Sequence, residues 1–99
     1  MRLRITRAAE QDLLDGSVFY EKQQPGIGAY FLDSLTADID SLALYAGVHA
    51  KPHGRFHRAL AKRFPFAVYY ELNGDEATVV AVLDCRRDPA SITRRLGVG

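Results

Sequence analysis

Hydrophobic residues recur at helical spacing through the first half of the chain and at strand spacing through the second, and this change of period points to an α+β architecture. From Arg7 to about Lys22, Ala9, Leu13, Gly16 or Ser17, and Tyr20 share one face opposite Glu10, Asp12, Asp15 and Glu21, which predicts an amphipathic helix. Thr6 is its expected N-cap, and Leu3–Thr6, alternating and β-branched, reads as a short strand before it. Pro25-Gly26 ends the helix. A second helix is expected from about Gly28 to Tyr45, because Phe31, Leu35, Ile39 and Leu42 step by four, four and three, and Gly47 stops it. With only Gln23 to Ile27 between them, the two helices should pack as an antiparallel hairpin.

Beyond the loop signals Pro52 and Gly54, Phe56 to Arg63 is expected as a strand of mixed basic and apolar pattern. Phe64–Leu72 and Thr78–Leu83 read as two further strands joined at Asn73-Gly74, both of which tolerate positive φ. Asp88-Pro89 supplies an N-cap and a first-turn proline, so Ala90–Leu96 should be a short helix with Ile92 and Leu96 inward. The order β-α-α-β-β-β-α implies a helical hairpin packed on one face of a small, mostly antiparallel sheet, with Phe31, Leu35, Ile39, Leu42, Val68, Val80, Val82 and Leu83 in the core. At 99 residues, 1–99 is expected to be a single domain. Tyr69 and Tyr70, adjacent on a strand, should point to opposite faces, one core and one exposed.

The longest apolar runs, about ten residues, fall short of the roughly 20 that span a bilayer, so no membrane partner is expected. Acids at Glu10 and Asp12 interrupt any signal-peptide core, and the lone Cys85, read as a small buried residue, fits a reducing compartment; a cytoplasmic location is expected. Charge is polarised: residues 1–48 hold four basic and seven acidic side chains, residues 49–99 nine and five. Lys51, Arg55, Arg58, Lys62 and Arg63 lie in a stretch with no acid, a pattern suited to nucleic acid or an acidic partner segment, or simply to a solvated face.

His49, His53 and His57 are interleaved there at spacings of four, which would align metal ligands on a helix. Pro52 and Gly54 argue against that helix and no carboxylate or cysteine joins the group, so no metal site is expected. Gly26-Ile27-Gly28 does not follow a strand, and neither a dinucleotide site nor any other cofactor is expected. Asp12 and Asp15 read as solvating charges on the first helix.

Three stretches in fixed order carry a resemblance: AAEQDL from Ala8, RFPFAVYYEL from Arg63 to Leu72, and VVAVLDCRRDP from Val79 to Pro89. Together with the element order they resemble the RelE/ParE superfamily of bacterial toxins, ParE-like more than RelE-like. The resemblance implies the toxin of a type II toxin–antitoxin system, neutralised by a cognate, ParD-like antitoxin. An acidic, partly disordered antitoxin segment would then cover Lys51 to Arg63 or Arg86 and Arg87. ParE-like members inhibit DNA gyrase without being nucleases, whereas RelE-like members cut messenger RNA on the ribosome without metal.

Metal-free RNA cleavage needs a base for the 2′-hydroxyl, cations for the phosphorane and an acid for the leaving oxygen. The strand arginine that RelE-like toxins place ahead of Val-Tyr falls here on Phe66, and no tyrosine follows in Ala90–Gly99. Arg86 or Arg87 matches the family's other arginine. This incomplete set favours a non-enzymatic gyrase inhibitor whose contacts with target or antitoxin come from Lys51, Arg55, Arg58, Lys62, Arg63, Arg86, Arg87 and the segment to Gly99. On the interferase alternative, Lys62, Arg63 and Arg86 would be the phosphate-binding cations and His57 or Tyr70 the proton-transfer group, with His53 as a further candidate. A third possibility is a family member that binds its antitoxin and poisons nothing.

Overall fold

The computed structural model describes residues 1–97. Its elements are β1 (Arg2–Ile5), α1 (Arg7–Gln23), α2 (Ile27–Asp40), α3 (Leu42–Tyr45), β2 (His57–Leu60), β3 (Phe66–Asn73), β4 (Glu76–Asp84) and α4 (Pro89–Leu96). They form the expected α+β fold, with a four-stranded sheet in the order β1-β4-β3-β2. Only the β1–β4 pair is parallel.

Local signals place the helix ends. The Thr6 side chain accepts the Ala9 N–H at 3.2 Å, which caps α1, and Asp88 accepts from Ala90 at 3.3 Å to cap α4. Between α1 and α2 the Glu21 carboxylate gathers the N–H groups of Gly26 and Gly28, at 3.1 and 2.9 Å from Oε1, and so closes the turn. The helices then come close: a Cβ on Gly28 would stand 2.7 Å from the Ser17 carbonyl oxygen. Gly28→Ala must push the hairpin apart, and we expect it to destabilise the fold by about 1–3 kcal/mol in urea titration.

The single second helix expected from the sequence is broken at Ser41, whose hydroxyl donates to the Asp38 carbonyl at 2.6 Å and competes with the helical ladder. β2 is shorter than Phe56–Arg63, because the chain turns away after Ala61 and the Lys62 N–H goes to the Asp38 carboxylate at 3.2 Å. In the β3–β4 hairpin Asn73 pairs with Glu76, so the two-residue turn is Gly74-Asp75, one position later than expected. Only Gly74 takes positive φ there, at 59°.

A bulge divides the core. Tyr69 pairs with Ala81 and Tyr70 with Val79, which leaves Val80 as the extra residue of β4. Parity along β4 therefore switches, and Val79 and Val82 join Phe31, Leu35, Ile39, Leu42, Val68 and Tyr70 beneath the helical hairpin. Ala81 and Leu83 turn the other way, to Ala67, Tyr69, Phe56 and the α4 residues Ile92 and Leu96. The sheet is thus covered on both faces, by the hairpin and by α4. Tyr69 and Tyr70 are consequently both buried, where one was expected to be exposed. Val80, expected in the core, is only half-buried because it is the bulge residue.

Candidate functional site

Lys51, Arg55, Arg58, Lys62, Arg63, Arg86 and Arg87 are all exposed, but the fold gives them different partners. Arg55 donates to Glu71 at 3.2 Å and lies 4.6 Å over the Phe56 ring. Arg86 forms a fork with Asp84, Nε at 3.0 Å and Nη2 at 2.6 Å. That pairing holds the Asp84 carboxyl below its usual range and raises the arginine further above its own. Arg58 and Arg87 are in none of the ion pairs found among the described residues.

These two arginines converge. Arg58, opposite Tyr69 in the β2–β3 ladder, and Arg87, in the turn after β4, line one cleft of about 210 Å³. His53 and Cys85 stand on its walls, and Pro89 and Ile92 of α4 close it. Lys62, Arg63 and Arg86 do not line it. Burial pushes the Tyr69 phenol up, Cys85 adds to this and Arg58 opposes it, so the hydroxyl stays protonated and can donate. Cys85 is exposed, not buried as expected, because it follows the end of β4; desolvation raises its thiol, Arg58 opposing, and it is no thiolate near neutrality. Two planar guanidiniums and a phenol donor suit a phosphate or carboxylate. A recess of about 240 Å³ between β1 and the hairpin is lined mainly by apolar side chains such as Leu3, Leu13 and Ile39 and lacks converging polar groups.

Two candidates for proton transfer lie inside the fold. Tyr70 is fully buried, its oxygen accepting the Gly47 N–H at 2.8 Å and lying 2.6 Å from His49 Nδ1. His57, 8% exposed, stacks on Tyr70 and donates from Nδ1 to the His49 carbonyl at 2.7 Å. Both residues tie the segment before β2 to the sheet. As placed, neither reaches a solvent-borne phosphodiester. Among the described residues no three His, Cys, Asp or Glu side chains gather as a metal site would require.

Desolvation, and then the charge of His57, hold His49 below the ordinary histidine value, so its Nδ1 is free to accept the Tyr70 proton. The folded state then binds fewer protons than the unfolded chain. Its contribution is full above about pH 6.5 and is lost as pH falls through the lower folded value. Thermal unfolding should move to lower temperature between pH 7 and 5.5, and His49→Asn, which keeps an acceptor at the Nδ1 position, should flatten that decline.

The sequence pattern missed Asp12 and Arg95. Asp12, read as a solvated charge, instead binds Arg95 and the Val82 N–H, a contact across 83 positions that no local spacing signals. Tyr69 was also missed as a site residue, since its role depends on which face α4 covers. Val98 and Gly99, the end of the segment assigned to target contact, lie outside the described residues.

No protein-family profile matches the chain, and no curated relative matches it. Among solved structures it is similar to a chain of the "Chromosomal ParDE TA system from P. aeruginosa", with a TM-score of 0.76 at 20% identity. The likeness covers 83% of this chain and 92% of that one. The fold is therefore ParE-like.

Proposed function

We propose that the chain is the toxin of a type II toxin–antitoxin pair, acting in the cytoplasm as an inhibitor of DNA gyrase and neutralised by a cognate, ParD-like antitoxin. The observation that supports the toxin–antitoxin reading is the likeness in fold to the ParDE chain over most of both proteins. The preference for gyrase over RNA rests on the residues. Phe66, standing where RelE-like toxins carry an arginine, is 8% exposed and packs edge-on to Phe31 at 5.0 Å. His57 and Tyr70 are committed to internal contacts. Exposed cations, above all Arg58 and Arg87, supply the surface for an acidic antitoxin segment or for the target.

One observation favours the interferase as a second reading: the cleft joins two guanidiniums that are in none of the ion pairs among the described residues with an imidazole, His53, and a phenol, Tyr69. Induction of the chain without its antitoxin separates the two. Filamentation and DNA-damage signalling with intact messenger RNA are expected, and codon-positioned cuts in translated messages would overturn the gyrase reading. Unimpaired growth would leave only an antitoxin-binding protein that poisons nothing.

A further inference from the structure

We propose that Asp12 is a positioning residue which, from the far side of the sheet, holds the C-terminal helix and hence one wall of the arginine cleft. The argument begins with a short strand. Pairing of β1 with β4 ends at Ile5–Val79; the Thr6 N–H makes the last backbone hydrogen bond, to the Val79 carbonyl at 3.0 Å, and the Thr6 hydroxyl donates to the Val80 carbonyl at 3.5 Å. β4 continues to Asp84, so its final residues have no strand on that edge. The Val82 N–H faces the gap and is taken by Asp12 Oδ2 at 2.9 Å. An edge N–H with no strand partner is thereby satisfied by a side chain, which also blocks pairing with another strand.

The same carboxylate receives Arg95 Nη1 and Nη2, each at 2.7 Å, in a bidentate fork. Asp12 belongs to α1, over one face of the sheet, and Arg95 to α4, over the other. The contact passes round the sheet edge where β1 has stopped. It is the only ion pair among the described residues that joins two helices, and its side chains are 11% and 28% exposed, so salt screens it weakly.

Helix α4 needs such a tie. Its eight residues are too few to be helical alone, and its hold on the sheet is otherwise Ile92 and Leu96. Asp88 and Pro89 fix its first turn, while Arg95 fixes its last. Pro89 and Ile92 are cleft residues, and Arg87 sits just before the cap. Asp12 is not among the residues that line the cleft, although it shares a neighbouring recess with Arg87, and it acts on the cleft through α4.

Amide hydrogen exchange with three variants tests this, whether or not the chain is toxic. Arg95→Ala removes only the ion pair, Asp12→Asn keeps an acceptor for Val82, and Asp12→Ala removes both. Exchange at Ile92–Leu96 should rise by about tenfold or more in all three, and at Val82 only in Asp12→Ala, with β3 amides unchanged. The Tyr69 ring and Arg87 Nε signals should shift in Arg95→Ala and return part of the way in Arg95→Lys. Wild-type exchange at Ile92–Leu96 in both Arg95→Ala and Asp12→Asn would overturn the proposal. So would equal loss of protection in β3, which would mean general destabilisation.

Discussion

Phe31→Ala is expected to remove about 3–5 kcal/mol of stability, a large share of the roughly 5–15 kcal/mol that holds a domain folded. The ring is fully buried where the hairpin meets the sheet. It stacks on Tyr20 at 5.3 Å and meets Phe64 and Phe66 edge-on at 5.0 Å each. Gly16 lies beneath it, so close that a Cβ there would be 2.5 Å from the ring. Truncation leaves a cavity walled by rings that cannot readily collapse into it, because Tyr20 is held in α1, Phe66 in β3, and Phe64 in the bend just before β3. Urea titration gives the value, and a loss below about 1 kcal/mol would mean that the aromatic cluster does not fix the hairpin. Phe31→Leu, which refills part of the space, should cost appreciably less.

Arg58→Ala combined with Arg87→Ala should abolish toxicity on induction while the folded state persists. Each arginine is exposed and free of an ion-pair partner among the described residues, so its loss should change stability by less than about 0.5 kcal/mol. Each hydrogen bond to a charged group contributes roughly 1.5–3 kcal/mol, so two lost contacts would weaken binding of the target or antitoxin by about 10²–10⁴-fold. Arg86→Ala should do much less, since Asp84 already engages that guanidinium through two nitrogens. A double variant that stays folded and fully toxic would show the cleft to be ordinary surface. Equal effects of Arg86→Ala and Arg87→Ala would show instead that the fork with Asp84 opens on binding.

The helical hairpin, α4, the β3–β4 hairpin and their order were legible from local pattern, because the signals for these act over a few positions; the break at Ser41 and the exact turn were not. Thr6 and Asp88 cap helices within their own first turns, Gly26 admits the positive φ of the turn between α1 and α2, and Phe31, Leu35, Ile39 and Leu42 fall on one face by helical period alone. The resemblance of three ordered stretches to RelE/ParE toxins was legible in the same way, and the ParE-like fold agrees with it. The remaining features came from how the elements pack. A bulge at Val80 set which side chains of an unbroken apolar run face which layer, and α4 buried Tyr69 by covering a face the pattern had left open. The meeting of Arg58 with Arg87, and of Asp12 with Arg95, depends on strand register and on the shortness of β1. Such pairings join residues far apart in the chain, where neither periodicity nor local propensity carries information, because contact there is fixed by how whole elements pack.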